Sequence, residues 1–316
     1  MTDTLQKFMF DNATVRGEMV ELTDTWQHIR TRRAYPAPVQ TMLGQMLAAS
    51  ALLSANLKFD GTMVLQLHGD GPVRLLVVEC NSLLEMRATA KLAPDAVIAP
   101  DASMKSLVNL HGKGRFVITL DPENKMPGQQ AYQGAVPLDG DDIASVLENY
   151  MLRSEQLDTK LRLAANDDVV RGMLLQKLPQ EGGVASLAEA IADDDFTGDL
   201  DTWQRATMLA ATLHEPELLT TSIEDLLRRL FWEETIRVFE PKHPQFRCTC
   251  SRERVGNMLK MLGREEVDSA LLEMGTLGID CDFCGLHYAF DKVDCAQLFA
   301  GKTPVETMLG ASEVKH

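Results

Sequence analysis

Cysteine is used sparingly, with six in 316 residues, and aromatic side chains make up only 6% of the chain. The opening stretch MTDTLQKFMFDNATVRG has no basic segment followed by an apolar one, so no export signal is expected. No apolar run approaches the roughly 20 residues a bilayer span needs. Together these absences point to a soluble protein of the cytoplasm, where disulfides are not the resting state of cysteine. Positive charge is also short, with 31 Lys and Arg against 46 Asp and Glu, for a formal net charge of −15. A field of that sign repels phosphate backbones and counts against general nucleic-acid binding. Gly-rich phosphate loops, GxSxG elbows and HExxH pairs are missing too, and the chain is read as a non-enzyme.

What is present is ample apolar material, 45% of residues, arranged in three textures. Residues 1–184 mix strand and helix signals. TMVLQLHGDGPVRLLVVEC (62–80) reads as two strands joined at a Gly-Asp-Gly-Pro turn, GRFVITLD (114–121) as a strand, and 160–179 as a hairpin around Asp167-Asp168. Apolar residues at three- and four-residue spacing predict helices over 39–57 and 142–157. Residues 185–240 are rich in helix formers. Trp203, Ala206, Leu209, Ala210 and Leu213 make one thin stripe, and Ile223, Leu226, Leu227 and Leu230 a stronger one. With its acidic cluster at Asp193–Asp195, this segment is expected to be a helical linker of marginal stability, folded only while docked on a neighbour. Residues 241–316 are expected to form a small C-terminal domain. Ser251 would cap a helix ended by Gly263, a second helix would end at Gly275, and LHYAF and DCAQLFA follow as strand and helix. The fold class is α+β: an N-terminal α/β domain with a β-sheet packed by helices, a helical linker and a zinc-binding C-terminal domain.

Four of the six cysteines fall in that last region as Cys248-x-Cys250 and, after 30 intervening residues, Cys281-x-x-Cys284. Two close pairs suit a tetrahedral zinc site, each pair supplying one edge of the tetrahedron. One Zn2+ per chain is therefore expected, and a domain with little core has need of such a staple. His243 and His287 lie nearby but are read as surface or packing residues, since four sulfurs already close a site. Cys80 and Cys295 are read as small buried hydrophobes. Zinc on thiolates contributes roughly 10–16 kcal/mol, about as much as the whole stability of an ordinary domain. If an oxidant joined Cys248 to Cys250 and Cys281 to Cys284, one long-range tie would become two tiny rings that constrain almost nothing. A permanent staple, a catalytic dithiol and a site meant to be undone all remain open at this point.

The segments F-x-C-x-C-S-R-E-R-V (Phe246–Val255) and C-D-F-C-G-L-H-Y-A-F-D (Cys281–Asp291) carry a resemblance to a known family. So do YP-x-x-V-x-x-x-LG (Tyr35–Gly44), LKFDG (57–61), HGDGPV (68–73), YQG (132–134) and SEQL (154–157). With these motifs the whole chain resembles the heat shock protein 33 family, redox-regulated holdase chaperones of the bacterial cytosol. The resemblance implies zinc on Cys248, Cys250, Cys281 and Cys284, and an ATP-independent chaperone that is silent while reduced. It further implies that oxidants form the Cys248–Cys250 and Cys281–Cys284 disulfides, release zinc, loosen the linker and activate client binding with homodimerisation. Gln45, where the family often has Glu, and Cys295, in place of an aliphatic residue, depart from its pattern without touching the switch.

Two other readings compete with this one. A zinc-ribbon nucleic-acid-binding protein would need a basic C-terminal region with interleaved aromatics, which is missing. A thiol–disulfide oxidoreductase using Cys281 and Cys284 would need one pair only, and Asp282 between the thiols would oppose thiolate formation. The sequence names no client-binding residue and no membrane partner.

Overall fold

A computed structural model describes residues 3–11, 14–56, 60–125, 130–179 and 195–300. The chain divides into two compact units, Met1–Arg247 and Cys248–His316. The first is built from β1 (Thr4–Phe10), β2 (Val15–Leu22), α1 (Asp24–Arg30), α2 (Ala37–Ser54), β3 (Gly61–His68), β4 (Val73–Asn81) and β5 (Glu85–Leu92). It continues through α3 (Met104–Val108), β6 (Arg115–Pro122), β7 (Tyr132–Pro137), α4 (Ile143–Ser154), β8 (Thr159–Ala165) and β9 (Val170–Lys177). After residue 194 come α5 (Asp195–Ala211), α6 (Glu215–Thr220), α7 (Ile223–Leu230), β10 (Ile236–Val238) and β11 (Gln245–Phe246). The second unit contains α8 (Arg252–Leu262), α9 (Arg264–Met274), β12 (Leu277–Asp280), β13 (His287–Phe290) and α10 (Lys292–Ala300). This is the expected α+β class.

Two sheets organise the first unit, one in the order β10-β1-β2-β9-β8 and one in the order β11-β5-β4-β3-β6-β7. The Gly-Asp-Gly-Pro segment is indeed the turn between β3 and β4. A side chain on Gly71 would meet the Leu107 carbonyl oxygen at 2.5 Å, so this close approach requires glycine. Helix α2 packs on β2, β8 and β9 of one sheet and on β3, β4 and β5 of the other. It is therefore apolar almost all round, with residues from Val39 to Ser54 nearly all buried. This helix and the facing strands make the main core, which includes Trp26, Leu43, Met46, Leu47 and Phe116. The YQG and SEQL segments meet near α4: Tyr150 donates to Glu155 at 2.9 Å, and Gly134 leaves room for the Tyr150 hydroxyl.

The other face of the β1-β2-β9-β8 sheet carries a second apolar layer of Phe8, Phe10, Val15, Met19, Met173 and Leu175. Helices α5, α6 and α7 cover it with Ala206, Ala210, Leu213, Leu218, Leu226, Leu227 and Leu230. The two stripes read from the sequence are thus the buried faces of these helices, with Trp203, Leu209 and Ile223 half-buried at the margin. Two arginines of the sheet reach the C-terminal ends of the covering helices. Arg162 donates to the Ala210 carbonyl at 3.3 Å, and Arg171 donates to Leu218 at 3.2 Å and also to Thr221. Arg171 is ion-paired with Glu21 as well. Cations at helix C-termini satisfy carbonyls that lack intrahelical partners. Most of the expected acidic cluster, with 185–194 of the expected linker, lies outside the described residues. After α7 the chain adds one short edge strand to each sheet, β10 against β1 and β11 against β5.

Candidate metal centre

Among the described residues the second unit has a small core of Leu259, Val267, Leu271, Leu277, Tyr288, Phe290 and Cys295. Its helices end as the sequence indicated: Ser251 accepts from the Arg254 amide at 3.2 Å, and Gly263 and Gly275 take positive φ. Cys248 and Cys250 lie on the extended stretch leading into this cap. Cys281 and Cys284 occupy the turn between β12 and β13, whose antiparallel register runs from Leu277↔Phe290 to Asp280↔His287. Gly285 closes that turn with φ 69°, in the left-handed region that glycine enters freely. Its amide donates to the Cys281 carbonyl at 2.8 Å, and the Cys281 amide donates to the Leu286 carbonyl at 3.0 Å. Arg252 ties the start of α8 to the hairpin. It donates to the Ala289 carbonyl at 2.8 Å, pairs with Asp294 at 2.8 Å and sits 4.3 Å above the Phe290 ring.

These supports bring all four sulfurs within 4.8 Å of one another, half-buried. Cys248 Sγ lies 3.6 Å from Cys281 Sγ, and Cys250 Sγ lies 3.3 Å from Cys284 Sγ. Four sulfurs around a tetrahedral zinc, each about 2.3 Å from it, stand about 3.8 Å apart, so the cluster has the dimensions of a metal site. Among the described residues no other set of three or more potential ligands gathers in this way. Burial, then the neighbouring sulfurs of Cys250, Cys248 and Cys281, push the Cys284 thiol up to about 12, while the Leu286 amide pulls the other way. A thiol in that setting resists ionising, and a thiophilic cation at the cluster would remove the resistance.

Tyr288 is an addition that the sequence did not reveal. Alternation along β13 exposes His287 and Ala289 and buries Tyr288 and Phe290. The Tyr288 hydroxyl then donates to Cys250 Sγ at 3.2 Å. That contact, together with burial, pushes the Tyr288 hydroxyl up to about 12. The inward position is readable from strand periodicity, whereas the sulfur as its partner has no signature in the sequence. His287 pairs with Asp280 at 2.7 Å, and His243 hydrogen-bonds the Asp3 carbonyl at 3.0 Å, so neither joins the sulfurs. Cys80 is fully buried and its thiol is pushed up to about 12 by burial. Burial, with Asp294, Asp268 and Asp291 nearby, likewise raises Cys295. Neither has the low-pKa, accessible character of a redox sensor.

A family model described as Hsp33 protein matches residues 3–291. The chain belongs to the Hsp33 family. It is 48% identical over 314 residues to a 33 kDa chaperonin of Chromobacterium violaceum, an alignment spanning 99% of this chain and 98% of that one. A 33 kDa chaperonin of Methylobacillus flagellatus is 43% identical over 317 residues, spanning 100% and 99% of the two chains. The crystal structure of the Hsp33 homologue of Thermotoga maritima superposes with a TM-score of 0.77 at 21% identity, covering 95% of this chain and 98% of that one. At that identity the likeness shows a shared fold, and it extends over both units. No helix among the described residues is long and apolar enough to cross a membrane.

Proposed function

We propose that this Hsp33 family member is a redox-regulated, ATP-independent holdase chaperone of the bacterial cytoplasm. In the reduced state Cys248, Cys250, Cys281 and Cys284 hold one zinc ion. Bound zinc keeps the thiols ionised and contributes roughly 10–16 kcal/mol to a unit whose own core is small. The single observation that carries the reading is the four-sulfur cluster, which joins two segments separated by 30 residues. Such a tie stabilises the unit only while the sulfurs remain thiolates.

Oxidation would proceed within each pair. Two thiolates give two electrons to a peroxide, one S–S bond forms, the O–O bond breaks, and two protons complete two waters. Done at both pairs, this removes every thiolate donor and leaves two small local rings. Contacts across the pairs are also short, so the folded geometry does not by itself choose the partners. A Cys248–Cys281 bond would preserve the long tie and therefore the fold, whereas pairing within Cys248–Cys250 and Cys281–Cys284 abolishes it. Loss of the second unit would then loosen α5–α7, the linker, and uncover Phe8, Phe10, Val15, Met19, Met173 and Leu175 for unfolding client proteins. Homodimerisation accompanies activation in this reading. The turn position of Cys281 and Cys284 between two strands counts against an oxidoreductase, which sets its dithiol at a helix N-terminus.

The test is zinc release to a chromogenic chelator, run beside suppression of client aggregation, before and after peroxide at raised temperature. Zinc release together with newly acquired suppression is expected. Full suppression with zinc retained, or disulfides mapped across the pairs, would overturn the reading.

A further inference from the structure

After α7 the chain runs as a strap over two sheet edges, pairing first with β1 and then with β5. Strand β10 pairs from Ile236↔Phe10 to Val238↔Phe8, and Leu5 and Lys242 then exchange main-chain hydrogen bonds at 2.8 and 2.9 Å. His243 hydrogen-bonds the Asp3 carbonyl at 3.0 Å, and the Asp3 carboxylate caps α1 by accepting from the Thr23, Asp24 and Thr25 amides. At β11 the Gln245 amide donates to the Leu84 carbonyl at 3.0 Å, and the Arg247 amide donates to the Met86 carbonyl at 2.9 Å. Phe246 is clamped between these two anchored residues. Its ring stacks on His28 with centroids 5.7 Å apart, and the Arg32 guanidinium lies 4.9 Å from its centre. We infer that this clamp is a second restraint on α7, seated wholly in the first unit and independent of the sulfurs. The inference rests on the reading above only in what release of α7 would uncover.

Strands of three and two residues gain little from their own ladders, so side chains must hold the strap. A ring in contact with an imidazole and a guanidinium supplies that hold, through stacking and through attraction of the cation to the ring face. Phe246 also packs against the main core. On the α7 side packing is incomplete, since a cleft of about 570 Å3 lined by Ile223, Leu227, Ile236 and Val238 lies between α7 and β10. Helix α7 therefore depends at that margin on the chain that follows it. With β11 seated, the strap is fixed at both ends and only short loops are left to close. With the Phe246 ring displaced, the strap is free at its far end and frays back through β10 toward α7. No covalent bond changes in this step, which is a local unfolding.

The experiment is hydrogen exchange by mass spectrometry on the reduced full-length protein, without oxidant or client. In Phe246→Leu, which keeps an apolar side chain and removes the ring, residues 223–230 and 236–247 should exchange about tenfold faster. Zinc content and protection over 252–300 should not change, and Phe246→Tyr, which keeps the ring, should behave as the unsubstituted protein. Faster exchange confined to 243–247 would overturn the inference, because the clamp would then be purely local. So would a loss of zinc and of protection over 252–300 in step with it, which would place the effect of Phe246 at the metal centre. The unsubstituted protein supplies a comparison that needs no variant to fold. Under rising urea the β11 segment should lose protection no later than α7, and α7 opening while β11 stays protected overturns the inference. Neither measurement oxidises a thiol, so both outcomes are separate from whether peroxide activates the protein.

Discussion

Replacing Cys281 by serine removes one of the four proposed donors and leaves the other sulfurs crowded without a complete shell. Zinc content measured by elemental analysis should fall well below one per chain, and residues 252–300 should lose amide protection. A fully loaded, protected variant would mean that Cys281 is not a ligand. Arg171 is the corresponding residue of the first unit. Its side chain is mostly buried, paired with Glu21, and donates to two carbonyls at the end of α6. Arg171→Met leaves those carbonyls and Glu21 without their cation, a cost of about 2 kcal/mol or more placed on the docking of the linker. Some suppression of client aggregation should then appear without oxidant. Aggregation curves identical to those of the unsubstituted reduced protein would show that this contact does not restrain the linker.

Helices α5–α7, the proposed linker, bury their apolar faces on the sheet they cover. Ser222 caps α7 by accepting from the Asp225 amide at 3.1 Å, and α7 inserts Leu226, Leu227 and Leu230 into the second apolar layer. Ser222→Ala should cost about 1 kcal/mol of local stability. Activation by a fixed dose of peroxide should start at a lower temperature in that variant, and an unshifted onset would separate α7 from the switch. The same packing explains which elements can be read in the sequence. The β3–β4 and β8–β9 hairpins announce themselves through Gly69-Asp70-Gly71-Pro72 and Asp167-Asp168, α7 through its apolar stripe, and α8 and α9 through Ser251, Gly263 and Gly275. Strand β2 escapes notice because one face meets α2 and the other the linker helices, so buried residues run almost without alternation. Strand β9 is buried at seven of its eight positions for the same reason. Strands β10 and β11 are three and two residues long, specified by the sheet edges they join and not by any pattern of their own. The metal centre is the opposite case, since cysteine type and spacing alone bring its four members together. Tyr288, Arg162 and Arg171 act through partners distant in sequence, which a single chain of letters does not disclose.

At the scale of the molecule, two units with different sources of stability share one chain. The first has an extensive core around α2, while among the described residues the second has a small core beside its sulfur cluster. Under the proposed function, oxidation should act selectively on the second unit, and α5–α7, the proposed linker, are expected to respond while the sheet beneath them stays folded. Hydrogen exchange by mass spectrometry on the zinc-loaded protein, before and after peroxide, tests this central claim most directly. The account predicts loss of protection over 252–300 and over 202–230, with β3, β4 and β6 still protected. Peroxide-treated protein that suppresses aggregation while 202–230 keeps its full protection would contradict it.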